Sequence, residues 1–291
     1  MLLVTFSTAD GRPRLGVQRE TDIVDVAALS PDAPTTLWDV VNGSVDTVAA
    51  LLAGPIPDTA LHPVDGVRLH APLRPGKIVG VGLNYTEHVA ESARALDTAN
   101  DLPQQPVLFC KPSTAVIGPD EPIEHNAALT SQLDWECELA VVIGRTAKRV
   151  PPERALDYVF GYSVVNDISA RDQRRAGLWF YSKGQDTYAP FGPAIRTADE
   201  IPDPHALDLS LRVNGEVKQK SNTRYMLFRI PELIADISAG FTLEPGDVIA
   251  TGTPSGVGAG LSPQQWLWPG DVVEATVQHV GTLRNPVVDA R

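Results

Sequence analysis

Two glutamates separated by one residue, Glu136 and Glu138, lie in the segment LDWECELAVVIG. Apolar residues occupy every second position around them, which is the pattern of a strand. Residues two apart on a strand point to the same face, roughly 6.6 Å apart, so both carboxylates would aim together. They would then either share a hard cation or form the solvent-exposed face of an amphipathic strand.

A third carboxylate, Asp167, follows an apolar run in GYSVVNDISARDQ. It is either a metal ligand at the end of a buried strand or the N-cap of the following turn. Together, Glu136, Glu138 and Asp167 would offer three oxygen ligands and no histidine or thiolate. Such a set suits Mg²⁺ or Mn²⁺, and also Ca²⁺, rather than Zn²⁺ or iron.

A histidine and a glutamate, His88 and Glu91, lie three residues apart in NYTEHVAES. We interpret Asn84 and Glu87 as a capping box, with a helix that starts at Tyr85. On that helix His88 and Glu91 would share a face, and a carboxylate beside an imidazole orients it as a general base. The alternative is an ordinary ion pair on an exposed helix.

Two further polar residues lie in glycine-containing segments. Lys183, in YSKGQDTYAPFGP, is either an exposed lysine or a cation that meets a substrate oxyanion. The segment TGTPSGVG at 251–258 would aim backbone N–H groups and Thr253 at a carboxylate. It is not a P-loop, because no Gly-Lys-Ser/Thr follows, and GVGLNY at 80–85 lacks the third glycine of a dinucleotide fingerprint.

The elements that must position these residues are mostly strands. Strands are predicted for KIVGVG, VLFCKP, ECELAVVIG, YSVVND, LDLSLRV, DVIATGT and DVVEATVQHV, with Asn214-Gly215 as a hairpin turn. Helices are predicted for NYTEHVAESARAL, PPERALDYV and IPELIADISAG. Because strands and helices do not alternate strictly, the sequence predicts an α+β domain built on a mixed, curled β core.

The first part of the chain has its own pattern. A hairpin is predicted around Asp10-Gly11 and a helix within residues 35–53, before a proline-rich stretch without periodicity. We therefore expect a small N-terminal α/β domain at 1–70 and a catalytic domain at 71–291.

Composition excludes several classes of protein. The 291 residues include 24 Lys and Arg against 36 Asp and Glu, a net charge of −12. An acidic chain lacks the basic surface that binds phosphate backbones, so neither nucleic acid nor an anionic membrane is an expected partner. Two cysteines cannot build a secreted disulfide framework, and neither a signal-peptide pattern nor an apolar run of about 20 residues occurs. We expect a cytoplasmic protein.

Six ordered segments resemble the catalytic domain of the fumarylacetoacetate hydrolase (FAH) superfamily. They are NYTEHVAE, FCKPS, ECELAVVIG, GYSVVNDISARD, SKGQDTYAPFGP and LEPGDVIATGTPSGVG. The resemblance covers the chain from about Lys77 to about Val288. It implies a mixed β-roll-like fold, a divalent metal ion, a small keto-acid or dicarboxylic acid substrate, and a homodimer.

The resemblance also implies a role for each matched residue. The metal ligands would be Glu136, Glu138 and Asp167; the catalytic group would be the His88–Glu91 dyad, carried on a lid, with Lys183; the substrate contacts would be Arg171 and Thr253. One position departs from the family, since many members have glutamine where this chain has Arg174. We predict that Arg174 binds substrate and favours a second acidic group on it.

The expected reaction is hydrolytic C–C cleavage of a β-diketo acid of the acylpyruvate, fumarylpyruvate or 2,4-diketo-3-deoxy acid type. Decarboxylation of oxaloacetate and isomerisation of 2-hydroxyhepta-2,4-diene-1,7-dioate need a similar enolate, and both stay open as alternatives. A binding protein without catalysis is disfavoured by the complete set of candidate residues. The polar segment 93–106, with two prolines near its end, is predicted to be a lid that orders over substrate.

Overall fold

The computed structural model describes residues 1–95 and 101–290. Its nineteen strands in the described part of the chain are β1 Leu2–Ser7, β2 Arg14–Gln18, β3 Asp22–Asp25, β4 Leu61–Pro63, β5 Arg68–His70, β6 Ile78–Gly82, β7 Val107–Lys111, β8 Val116–Ile117, β9 Ile123–His125, β10 Leu133–Asp134, β11 Cys137–Ile143, β12 Val159–Asn166, β13 Ser169–Ala170, β14 Ala189–Thr197, β15 Asp208–Val213, β16 Glu216–Asn222, β17 Val248–Ala250, β18 Val272–Val277 and β19 Gly281–Asp289.

The α-helices are fewer. They are α1 Leu37–Asp39, α2 Val45–Leu52, α3 Thr86–Ala95, α4 Phe180–Lys183 and α5 Ile230–Gly240, with a π-helical turn at Val40–Ser44 and a 3₁₀ helix at Pro152–Tyr158 among several short turns. In α5, Ile230, Leu233, Ile234 and Ile237 are buried, which is the spacing of one helical face. The helices in the described part of the chain are too short or too polar to cross a membrane.

The strands form two large sheets and one small pair. The first sheet has the order β4-β3-β2-β1-β14-β12-β11-β17-β6-β7, with β5 paired to β1 and β8 paired to β14. The second has the order β16-β15-β18-β19-β9, and β10 pairs with β13. This mixture of many strands and few helices confirms the α+β class predicted from the sequence.

Strand β11 is buried on both of its faces. Leu139 and Val141 belong to one hydrophobic core, whereas Ala140 and Val142 belong to the other. A strand covered on both sides needs a continuous apolar run, which explains the sequence ELAVVIG. Glu138 in β11 and Glu136, which directly precedes it, are both buried, so they cannot be the exposed face of an amphipathic strand.

Two hairpins form at the turn residues that predicted them. Strand β1 pairs with β2, as Asp10-Gly11 predicts, and β15 pairs with β16 across Asn214-Gly215. Asn214 has φ 52° and Gly215 φ 80°, the left-handed conformation that a two-residue hairpin turn requires.

The leading segment extends the first sheet. Strand β1 pairs antiparallel with β14, joining Leu2 to Arg196 and Leu3 to Ile195. Strands therefore run across the boundary that we placed between residues 1–70 and 71–291, and independent folding of the two parts stays a prediction. The predicted lid at 93–106 lies partly outside the described residues.

Candidate active site

The candidate site residues meet at one edge of the first sheet, where β6, β12 and β17 end and β11 begins. Cys137, the first residue of β11, pairs with Asn166, the last residue of β12, so Glu136 and Asp167 become neighbours. The Asp167 N–H donates to the Glu136 carbonyl at 2.8 Å. Strand β17 pairs with β11 on the other side and runs parallel to β6, so the segments that follow β17 and β6 reach the same edge.

The three predicted metal ligands converge. Glu136, Glu138 and Asp167 each offer a carboxylate oxygen, and these oxygens lie within 4.8 Å of one another. The three residues are 4%, 1% and 0% exposed. A group of buried carboxylates this close is unfavourable unless cations surround it.

Lys183 supplies one such cation, because its Nζ donates to Glu136 Oε2 at 2.8 Å, Asp167 Oδ2 at 2.6 Å and Ser169 Oγ at 2.8 Å. Burial lowers the pKa of Lys183, but the charges of Asp167 and then Glu136 outweigh burial, and the net shift is upward. An ammonium group has three donors, and all three are engaged here. A substrate oxyanion would have to replace one of these contacts, and the predicted oxyanion role of Lys183 stays a prediction.

Arg171 supplies another cation. Its Nε donates to Asp134 Oδ2 at 2.8 Å, and its Nη2 lies 2.7 Å from Glu136 Oε1. Asp134 also accepts the N–H groups of Gly258 and Ala259, at 2.6 and 3.0 Å. Arg171 thus ties the carboxylate cluster to the glycine-rich segment that we expected to bind substrate.

A lysine without a predicted role completes the cluster. Lys111 is fully buried, and its Nζ donates to Asp167 Oδ1 at 2.5 Å, to the Ile168 carbonyl at 3.2 Å and to the Lys183 carbonyl. Burial lowers the pKa of Lys111 despite the charge of Asp167. A lysine that ends the apolar strand VLFCK was the signal in the sequence, because a buried ammonium needs an anionic partner.

Glu138 is the member of the carboxylate cluster that makes no ion pair within the described residues. Its Oε2 accepts the Gly252 N–H at 2.8 Å, and the cations described above contact its neighbours. Burial, followed by the charges of Asp167 and Glu136, raises the pKa of Glu138 well above its ordinary value. A divalent cation among the three carboxylates would offset this repulsion, and an all-oxygen donor set fits Mg²⁺ or Mn²⁺.

The predicted dyad is buried. His88 Nδ1 lies 3.0 Å from Glu91 Oε2, and Nε2 lies 3.4 Å from the Ser92 hydroxyl. His88 and Glu91 are 5% and 6% exposed, which rules out an ion pair on an exposed helix. Glu91 Oε1 accepts the Gly256 N–H at 2.9 Å, so the dyad is fixed against the segment after β17.

A small cavity that opens to solvent joins these groups. The candidate residues that line it are His88, Glu136, Arg171, Arg174, Lys183 and Thr253. Glu91 reaches it through His88, while Glu138 and Asp167 flank Glu136. The structure therefore brings all nine predicted site residues into one region.

Asn84 and Thr253 both have hydrogen-bond partners that the sequence did not predict. Asn84 does not cap α3, which begins at Thr86: its side chain accepts the Phe228 N–H at 2.7 Å and donates to the carbonyls of Phe228 and Thr251. The capping-box prediction was wrong because these long-range partners outcompete the helix end. Thr253 lines the cavity, but its hydroxyl already donates to the Cys137 carbonyl at 3.0 Å.

Comparison with known proteins defines the class. Residues 77–288 match the fumarylacetoacetate (FAA) hydrolase C-terminal family, and the chain belongs to this family. The oxaloacetate tautomerase YisK of Bacillus subtilis is 44% identical over 230 residues, covering 78% of this chain and 75% of YisK. The mitochondrial oxaloacetate tautomerase fahd2 of Xenopus laevis is 36% identical over 295 residues, covering 99% and 90%.

Solved structures agree in fold. A fumarylacetoacetate hydrolase from Exiguobacterium antarcticum has a TM-score of 0.84 and 37% identity, with both chains fully covered. The maleylpyruvate hydrolase of Sphingobium sp. SYK-6, solved with manganese(II) and pyruvate, has a TM-score of 0.81 and 33% identity, again with full coverage. The family thus includes tautomerases and hydrolases that act on small keto acids.

Proposed function

We propose that the protein is a divalent-metal enzyme that acts on a small 2-oxo acid through its enolate. The observation that carries this proposal is the single cavity bounded by the carboxylate cluster on one side and His88 on the other. Glu136, Glu138 and Asp167 would hold Mg²⁺ or Mn²⁺. The bound ion would supply Lewis-acid stabilisation of negative charge on the 2-oxo acid.

The residues of the dyad move the proton. Glu91 accepts the Nδ1–H of His88, which leaves the Nε2 lone pair as the base. Nε2 would take a proton from C3 of the 2-oxo acid, and the electron pair of the C–H bond would become the enolate. Lys183 and Arg171 hold the surrounding carboxylates in place through their ion pairs with Glu136.

The best-supported reaction is keto–enol tautomerisation of oxaloacetate. The proton leaves C3 and is returned to oxygen, and no bond between carbon atoms breaks. It is supported by His88, which lines the cavity, and by both relatives described above, which are oxaloacetate tautomerases.

Hydrolytic C–C cleavage of an acylpyruvate is the second candidate. It is favoured by the buried His88–Glu91 pair, which could equally take a proton from water, and by the likeness to maleylpyruvate hydrolase. The hydroxide would attack the distal carbonyl and release the enolate of pyruvate. A homodimer in the cytoplasm remains the expected setting for either reaction.

One set of assays separates the candidates. The enzyme is treated with EDTA, reloaded with Mg²⁺ or Mn²⁺, and given enol-oxaloacetate, acetylpyruvate or fumarylpyruvate. Enol decay is followed by ultraviolet absorbance, and C–C cleavage by pyruvate release. Metal-dependent enol decay without pyruvate supports the tautomerase, and pyruvate from acylpyruvates supports the hydrolase. Absence of both activities in the metal-loaded enzyme would refute the proposal.

A further inference from the structure

Three cationic side chains line the cavity, those of Arg171, Arg174 and Lys183. Within the described residues, Arg174 is the one of the three that makes no ion pair with an acid. Lys183 contacts Glu136 and Asp167, and Arg171 contacts Glu136 and Asp134, as described above. The Nε of Arg174 is buried without a hydrogen-bond partner in the described part of the chain. Burial and then the charge of Arg171 lower the pKa of Arg174, as expected for a cation without a counter-ion.

A tight turn holds Arg174 beside Trp179. Arg175 and Leu178 form an isolated bridge, in which the Leu178 N–H donates to the Arg175 carbonyl at 2.9 Å. Ala176 and Gly177 between them have φ 50° and 77°, the left-handed pair of a two-residue turn. The residues that flank this bridge therefore lie side by side, and the Arg174 guanidinium carbon is 5.4 Å from the centre of the Trp179 ring.

Trp179 is itself fixed in place. Its ring packs edge-on against Phe109, with 5.5 Å between the ring centres. It also lies directly on the backbone of β6 at Gly82, where any Cβ would overlap the indole. Glycine at position 82 thus makes the space in which Trp179 supports Arg174 at the wall of the cavity.

We infer that Arg174, held against Trp179, is a seat for a second carboxylate of the substrate, so that the site selects 2-oxo diacids over 2-oxo acids with a neutral distal end. The inference rests on the proposed function, because it assigns the other end of the substrate to the carboxylate cluster. A guanidinium that lies over an indole ring with its Nε unpaired keeps N–H donors for a carboxylate.

The test compares two substrates with a common reacting end. Oxaloacetate carries the distal charge, and its 4-methyl ester keeps the enolisable C3 but removes that charge. In the Mn²⁺-loaded enzyme, Arg174→Gln should lower kcat/KM for oxaloacetate about 10- to 100-fold, the usual loss of a charged hydrogen bond, mainly through KM. For the ester the change should be less than about threefold.

Arg175→Gln is the matched control. It removes the same charge one residue away, but the Arg175 guanidinium carbon lies 3.5 Å from the centre of the Tyr181 ring, and Arg175 does not line the cavity. It should leave both substrates within about twofold of the wild type. Equal losses in the Arg175 and Arg174 variants would overturn the inference, since only a general field effect would remain.

Trp179→Leu provides a second route to the same answer. Removal of the indole ring that supports Arg174 should reduce the preference for oxaloacetate over the ester, while both substrates are still converted. If the preference for oxaloacetate over the ester were unchanged in both Arg174→Gln and Trp179→Leu, the inference that Arg174 binds the second carboxylate would be wrong. The proposed function would still stand. Failure of the proposed tautomerase reaction differs, because the wild-type enzyme would then convert neither oxaloacetate nor the ester. Circular dichroism and Mn²⁺ affinity confirm that each variant is folded and loaded.

Discussion

Lys111 is the residue whose removal should cost most in stability at the site. Replacement by methionine keeps the buried aliphatic stem and removes only the ammonium group. Asp167 would lose its 2.5 Å partner, and the carbonyls of Ile168 and Lys183 would lose their donor. Removing one partner of a buried ion pair costs about 3–5 kcal/mol. Since Asp167 keeps Lys183 at 2.6 Å, the lower end, about 3 kcal/mol, is expected.

Urea unfolding in EDTA measures this loss, because the chelator removes any contribution of bound metal to stability. Lys148→Met is the control: Lys148 is exposed, and its Nζ makes one hydrogen bond, to the Gly240 carbonyl at 3.0 Å. It should change the free energy of unfolding by about 0.5 kcal/mol or less. The affinity for Mn²⁺ should also fall in Lys111→Met, because one of the two lysines that orient Asp167 is gone.

A loss below about 1 kcal/mol in Lys111→Met, with Mn²⁺ affinity unchanged, would refute this reasoning. It would mean that Asp167 is adequately neutralised by Lys183 alone, and that Lys111 is dispensable. A loss equal to that of the Lys148 control would point to the same conclusion.

Four further outcomes are expected. Chelation should abolish catalysis and Mg²⁺ or Mn²⁺ restore it, and Glu138→Gln should weaken Mn²⁺ binding measured by calorimetry; full activity after chelation would contradict the metal site. His88→Ala should lower kcat by a factor of about 10²–10⁴ while Mn²⁺ affinity is retained. A smaller loss would mean that His88 is not the catalytic base. Amides of residues 85–105 should exchange more slowly once oxalate binds, and unchanged exchange there would exclude a lid. Burial raises the pKa of Cys137 to about 12, whereas Cys110 is exposed. A thiol reagent should therefore react with one cysteine in the folded protein and with both after unfolding.

Local patterns predicted much of the sheet and the identity of the clustered carboxylates. Strands such as β11 and β12 carry continuous apolar runs, and these are readable because both faces are buried. Strand β14 was not predicted, since its sequence APFGPAIRT contains two prolines and a glycine, residues that normally interrupt strands. It is nevertheless the strand that joins β1 to β12.

What the sequence could not supply was long-range pairing. Asn84 looked like a helix cap because its true partners, at Phe228 and Thr251, are far along the chain. Lys111 belonged to a recognised motif, but its contact with Asp167 depends on how β7 lies against the end of β12. Spacing identifies which side chains share a face, whereas the fold decides which of them meet.

The pairing of β1 with β14 also constrains how the chain is made. Leu2 of β1 pairs with Arg196 of β14, so β1 docks on a strand that lies 194 positions later in the chain. At a synthesis rate of about 5–20 residues per second, the ribosome needs roughly 10–40 s to deliver that strand. During this interval β5 can pair with Thr5–Ser7 of β1, whereas Leu2 and Leu3 keep an open edge, where a nascent chain is exposed to wrong strand partners.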